Sequence, residues 1–213
     1  MRVLSVNVGL PREVEWQGTT VLTGIFKSPV AGAIKLGKLN FAGDAQADLS
    51  VHGGVDKAVY AYPSEHYPDW QSSLGRTLPP GAFGENLTTE GLLEDQVFIG
   101  NEYRIGTAKL VVTQPRLPCY KLGIRFGDPQ MVKTFLKAKR PGIYFAVREE
   151  GIVGPDDPIE LVHTDESRIS LSDMFTLIFT RRPNPKDLRR IISVPGLASV
   201  WKEEFGDRLS DLE

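Results

Sequence analysis

Short apolar segments, each ended by glycine or proline, dominate the first 165 residues of this chain. The 213 residues include 21 glycines and 15 prolines, which interrupt helices and begin turns. Between them apolar and polar side chains alternate, as in the segment where Ala108, Leu110 and Val112 share one face. Such alternation is typical of a half-buried strand. The pattern predicts a mainly β fold of the α+β class, with a barrel or sandwich-like core and helical insertions over 64–74 and 131–138.

Residues 166–213 have a helical pattern instead. Ser170 and Asp173 have capping-box spacing before an apolar run. Asn184 and Pro185 are typical of the start of a second helix, and a third is predicted to end at Gly206. Three short helices cannot each bury an apolar face alone, so we expect a bundle. The sequence therefore predicts two domains, 1–165 and 166–213.

Composition excludes several classes of protein. One cysteine cannot form an internal disulfide, and no stretch approaches the ~20 apolar residues of a membrane helix. The N-terminus has no apolar region long enough for a signal peptide, so we expect a cytoplasmic protein with a reduced thiol and no membrane partner. The formal charge of −2 gives no electrostatic case for nucleic acid.

Cys119 is the first candidate functional residue. We expect it in a rigid loop after the 108–113 strand, directly after Pro118. Arg116 and Lys121 are near it in sequence and make its surroundings basic. Positive charge favours the thiolate, which binds metals and attacks electrophiles. A buried structural cysteine is the common alternative for a lone thiol, and the residues alone leave both interpretations open.

A glycine pair forms the second candidate. Gly53 and Gly54 allow the backbone to approach a ligand closely, and they are flanked by His52 and Lys57. The spacing matches no standard phosphate loop, so the residues alone favour a hairpin turn with solvated ends over a ligand site. Asn86 is a third candidate, since it precedes a strand and its amide can hydrogen-bond a polar ligand or only a turn.

These segments together, in this order, resemble the MOSC domain family and within it the YiiM-like branch. Five segments carry the resemblance, and the C-terminal helices are similar to the three-helix domain of this branch. The matching segments are Lys27–Val30, Gly43–Asp48, His52–Tyr60, Phe83–Thr88 and Gln114–Cys119.

The resemblance implies a MOSC-type β-barrel that holds a molybdenum cofactor (molybdopterin) with Cys119 as the metal ligand. It also implies a molybdenum-dependent oxidoreductase that reduces N-hydroxylated compounds, such as hydroxylaminopurine base analogues, to amines. His52 is then a candidate proton donor in catalysis. Six further residues are expected to bind the cofactor: Gly53, Gly54, Lys57, Asn86, Arg116 and Lys121.

The resemblance leaves the partners and one rival function to be tested. No flavin, haem or Cys₄ motif is present, so electrons must come from a separate protein, for which we expect a flavoprotein reductase. The chain is expected to act as a monomer or homodimer. The rival is a non-redox sulfur carrier or cofactor-binding module that uses Cys119.

Overall fold

The computed structural model describes residues 1–48 and 53–212. Strands dominate up to residue 163, and helices follow. The strands are β1 Arg2–Val8, β2 Arg12–Trp16, β3 Thr19–Thr23, β4 Ser28–Pro29, β5 Ile34–Leu36, β6 Val59–Pro63, β7 Leu87–Glu90, β8 Glu102–Ile105, β9 Ala108–Pro115, β10 Ile143–Glu149, β11 Gly151–Val153 and β12 Ile159–His163. The α-helices are α1 Tyr67–Leu74, α2 Tyr120–Phe126, α3 Met131–Ala138, α4 Leu171–Phe179, α5 Pro185–Ile192 and α6 Ser199–Ser210, and 3₁₀ turns cover Val55–Lys57 and Ser64–His66.

Eight strands form the main sheet, in the order β12-β8-β9-β10-β6-β7-β1-β4. Neighbouring strands pair antiparallel except β6 and β7, which are parallel. In β9 both faces are buried, since only Lys109 is partly exposed. The central position of β9 buries its C-terminal end and Arg116 after it, and the chain reaches the surface at Leu117.

The expected barrel is not confirmed, because the strand pairing leaves β12 and β4 as the ends of an open sheet. Backbone contacts nevertheless join β1 to the segment before β12. The Val3 N–H donates to the Asp157 carbonyl at 3.0 Å, and Arg2 forms a bridge with Pro158. The mixed α and β composition, with more strands than helices in the described residues, agrees with the predicted class.

The three C-terminal helices pack against this sheet through a shared core. Leu171, Met174, Ile191 and Phe205 belong to the same buried cluster as the sheet residue Val112. The Ser170 side chain accepts from the Asp173 N–H, and Asp173 accepts from the Ser170 N–H in return, which is the capping box that the sequence predicts. The proposed boundary near residue 165 therefore remains a prediction, because the apolar core is continuous across it.

The predicted loop at Cys119 is confirmed, since residues 116–119 connect β9 to α2, but helix α2 after it and the end of the last helix were not predicted correctly. Helix α2 begins at Tyr120, the residue after Cys119. The apolar residues of α2 face an aromatic cluster that includes Phe83 and Phe135, and this tertiary burial stabilises a helix too short to be stable alone. The third C-terminal helix does not end at Gly206 but continues to Ser210, because Leu209 packs against the core. Among the residues described, no helix is long and apolar enough to cross a membrane.

Candidate functional site

An open cavity of about 680 Å³ lies where β6, β7, β9 and β10 meet the loops around residues 24, 46 and 53. Six of the eight predicted site residues line it although they come from three separate segments of sequence. They are Gly53, Lys57, Asn86, Arg116, Cys119 and Lys121. Gly54 is not among the described lining residues, and His52 lies outside the described part of the chain.

Cys119 is the residue immediately before α2. Its extended backbone, with φ −111° and ψ 173°, is the conformation that an N-cap residue needs. Its carbonyl accepts the Leu122 N–H at 2.9 Å, which begins the helix. The side chain is half-buried and lines the cavity. It interacts electrostatically with Arg116 and Tyr144, so a thiolate here is beside a positive charge.

Arg116 is buried behind the thiol, and its guanidinium is fixed by protein contacts. One guanidinium nitrogen donates to the Phe83 carbonyl, and the group lies 4.7 Å from the ring centre of Tyr60. Burial alone would lower the pKa of Arg116. The nearby phenols of Tyr60 and Tyr144 and the thiol of Cys119 outweigh burial, so the net pKa is above its ordinary value. A permanent positive charge is therefore fixed at the inner end of the cavity.

Glu85 organises the loop that accepts the Arg116 hydrogen bond. Its fully buried carboxylate accepts the N–H groups of Gly81 at 2.8 Å and Phe83 at 2.9 Å. The Tyr67 hydroxyl also donates to it, and so does the Thr88 hydroxyl at 3.0 Å. Burial raises the pKa of Glu85, and these hydrogen bonds oppose the rise. No sequence pattern indicated a role for this residue.

Asn86 lines the cavity, but its amide already has several protein partners. Its nitrogen donates to the Asp44 carboxylate at 2.9 Å and to the Asn7 carbonyl at 3.3 Å, and its oxygen accepts the Tyr60 N–H at 3.2 Å. Both amide hydrogens are thus used within the protein. Asn86 therefore links β1 and β6 to Asp44 through hydrogen bonds. Only its side-chain oxygen can accept a further hydrogen bond from a ligand.

Lys27 and Asp44 form a buried ion pair at the cavity wall that the sequence analysis did not identify. Their side chains are only 7% and 0% exposed. Asp44 also accepts the Gly9 N–H at 2.9 Å, so its carboxylate has three partners in all. Burial lowers the pKa of Lys27, and the charge of Asp44 opposes this change. Both residues lie in segments that carry the family resemblance, but nothing in the sequence indicated that they pair.

Gly53 belongs to a second wall of the cavity. Gly53 and Gly54 have φ of +87° and +83°, and a Cβ on Gly53 would lie 3.0 Å from the Gln46 side chain. Gly53 lines the cavity, whereas Gly54 is not among the lining residues and precedes the 3₁₀ turn. Lys57 follows on the 3₁₀ turn, half-buried, and burial lowers its pKa.

Helix α6 holds this glycine wall and the end of β9. The Asp56 carboxylate accepts both the N–H of Ser199 at 2.9 Å and its hydroxyl at 2.8 Å. The Trp201 indole N–H donates to the side-chain oxygen of Gln114 at 2.6 Å. Asp56 is adjacent to Lys57, and Gln114 is two residues before Arg116. The C-terminal helices thus contact both segments that supply positive charge to the cavity.

Two further cavity residues were missed, and two histidines are elsewhere. Tyr60 and Tyr144 line the cavity with ring centres 5.2 Å apart.

His66 pairs with Glu94 at 2.8 Å, away from the cavity, and His163 ends β12. Among the described residues no group of three His, Cys, Asp or Glu side chains could hold a metal ion. A metal at Cys119 must therefore bring most of its own ligands.

The chain matches two family models, the MOSC domain over residues 48–160 and the YiiM-like 3-alpha helix domain over residues 169–211. MOSC domains are associated, as a family, with binding of the molybdenum cofactor. The chain is 43% identical to protein YflK of Bacillus subtilis, over 99% of its own length and 97% of that protein. It is 31% identical to a protein of Gibberella moniliformis named reductase, over 84% of this chain but only 32% of that protein.

The crystal structure of YiiM from Geobacillus stearothermophilus has the same fold. It superposes with a TM-score of 0.82 at 36% identity, and the match covers 98% of both chains. The chain therefore belongs to the MOSC domain family, in its branch of YiiM-like proteins with a C-terminal three-helix domain.

Proposed function

We propose that this protein binds the molybdenum cofactor in the cavity beside Cys119 and uses it to reduce N-hydroxylated compounds to amines. The observation that supports this most strongly is a half-buried cysteine thiol beside a buried arginine, in a cavity with several further basic side chains. The reaction is R–NHOH + 2e⁻ + 2H⁺ → R–NH₂ + H₂O. When bound, the cofactor would supply the two-electron chemistry, which protein side chains alone cannot provide.

The residues present fit this cofactor. Thiolate is a soft ligand suited to a molybdenum–sulfur centre, and the single thiol suits a metal that arrives with the pterin's own sulfur ligands. The pterin phosphate is anionic, and the cavity offers the positive groups of Lys57, Arg116 and Lys121. Gly53 keeps its part of the cavity open, since a side chain there would crowd Gln46, which also lines the cavity.

The aromatic wall supports binding of a flat substrate and control of a proton. The Tyr144 ring lines the cavity beside Cys119, and burial raises the pKa of its phenol. The phenol therefore stays protonated at neutral pH and can donate a hydrogen bond to the departing oxygen. His52, the candidate for this role from the sequence, remains a proposal for the same step. Electrons are expected from a separate flavoprotein reductase.

Activity with a chemical electron donor tests this proposal. Protein from a molybdenum-replete host should reduce 6-N-hydroxylaminopurine to adenine with reduced methyl viologen, and Cys119→Ser should not, while its thermal unfolding is unchanged. Full activity in Cys119→Ser would refute the role of the thiol as ligand. A persulfide mass increase on Cys119 in protein without molybdenum would support sulfur carriage instead. A variant that fails to fold would indicate a structural cysteine.

A further inference from the structure

Three arginines gather on the surface next to the cavity. Arg12 lies on β2, Arg76 follows α1, and Arg125 lies on α2. Arg125 is four residues after Lys121, so the two share a face of the helix, and Lys121 lines the cavity. A line of positive charge therefore extends from the cavity along α2 to the arginines.

Aromatic rings hold the three guanidinium groups in place. Those of Arg12 and Arg125 lie 3.9 Å and 5.3 Å from the ring centre of Phe26, and that of Arg76 lies 5.5 Å from the ring centre of Phe126. A cleft of about 330 Å³ lies between Arg76 and Arg125. Phe26 lies between Ile25 and Lys27, both of which line the cavity, so the cluster is close to the cavity wall.

These charges lack a counter-ion within the described residues. No ion pair there involves any of the three arginines. The Arg125 Nε is buried and has no hydrogen-bond partner. Burial lowers the pKa of Arg125, and the charges of Arg12 and Arg76 lower it further, against the attraction of the buried Glu85. Placing like charges together without a partner is unfavourable unless an anion binds between them.

We propose that Arg12, Arg76 and Arg125 form a binding subsite for a phosphate monoester at the edge of the cavity. Guanidinium groups match phosphate oxygens with paired hydrogen bonds, and three of them suit a dianion better than a single carboxylate. The phosphate has two possible sources. It belongs either to an N-hydroxylated nucleotide whose base enters the cavity or to the pterin cofactor itself. The nucleotide source rests on the proposed reductase function, whereas phosphate binding does not.

Calorimetry with adenosine 5′-monophosphate and adenosine tests the subsite on the full chain at low ionic strength. We expect the monophosphate to bind about tenfold more tightly than adenosine, and Arg125→Gln or Arg12→Gln to remove that advantage, as loss of a charged hydrogen bond predicts. Arg182→Gln removes an exposed arginine from the segment between α4 and α5 and should leave the preference for the monophosphate unchanged. Inorganic phosphate should compete in the wild type.

Comparing cofactor-loaded with cofactor-free protein distinguishes the two sources. If the monophosphate binds both forms, the subsite serves a nucleotide, and the nucleotide of hydroxylaminopurine should then have a lower KM than the base. If it binds only the cofactor-free form, and Arg125→Gln lowers pterin content, the subsite serves the cofactor. Equal affinity for the monophosphate and adenosine in both forms, or unchanged affinity in the folded variants Arg12→Gln and Arg125→Gln, would overturn the proposal. The calorimetric result does not depend on molybdenum turnover, so its failure would leave the reductase proposal unaffected.

Discussion

The two walls of the cavity are held in different ways. On the sheet side, Lys27, Asp44, Asn86 and Arg116 are buried. Asn86 bonds backbone groups of β1 and β6, Asp44 accepts from Gly9 and Lys27, and Arg116 donates to the Phe83 carbonyl. On the glycine side, residues 53–57 form a turn whose Asp56 is tied to Ser199 at the start of α6 by two exposed hydrogen bonds. One wall is thus part of the core, and the other depends on the C-terminal helices.

This difference separates stability from ligand binding. Buried charges lose much of their hydration, so removing one partner leaves the other without compensation. Exposed hydrogen bonds contribute little to folding, yet those from α6 set the position of the segment that carries Lys57. Changes on the sheet side should therefore affect unfolding first, and changes on the α6 side should affect cofactor retention first.

The largest effect is expected at the buried ion pair. Asp44→Asn leaves the Lys27 ammonium buried without its counter-charge, which should lower the free energy of unfolding by about 3–5 kcal/mol. Asp156→Asn is the matched control, since its pair with Arg2 is exposed at 83% and 51% and should change it by less than about 1 kcal/mol. Urea unfolding measures both. Equal free energies of unfolding for the two variants would show that the stability of the sheet wall does not depend on the Lys27–Asp44 pair.

A pH-dependent effect of intermediate size is expected at Glu85. Its pKa in the fold is above its ordinary value of 4.5 because the carboxyl is buried, so the folded state binds a proton that the unfolded chain releases. The stabilisation is complete below the unfolded pKa and is lost as pH rises through the folded pKa. The stability of the wild type relative to Glu85→Gln should decline over this range, by at most about 1.4 kcal/mol per pH unit. A relative stability that increases with pH would mean that the hydrogen bonds to the carboxylate outweigh its burial.

The smallest change in stability is expected at the α6 contact. Trp201→Phe removes the hydrogen bond to Gln114 and should cost about 1 kcal/mol, while the protein loses molybdenum faster during dialysis. Trp16→Phe on the β2–β3 hairpin is the control and should retain molybdenum as the wild type does. Retention in Trp201→Phe equal to that of the control would show that the C-terminal helices only cover the sheet.

Sequence patterns located the cavity better than they explained it. Cys119, Arg116 and Lys57 were found because their segments carry unusual local chemistry, and alternation correctly indicated β9. The Lys27–Asp44 pair and Glu85 were missed because their roles arise from long-range contacts, which alternation and spacing do not encode. Helix α2 was missed because it is short and is stabilised by burial against aromatic residues from other segments.

The molybdenum content of purified protein tests the central claim most directly. Wild type and Cys119→Ser should be prepared from the same molybdenum-replete host, and molybdenum and pterin should be measured per folded chain. If Cys119 holds the cofactor, the wild type contains stoichiometric molybdenum with its pterin, and Cys119→Ser contains almost no metal although it unfolds at the same temperature. Equal molybdenum in both proteins, or none in well-folded wild type, would contradict the account.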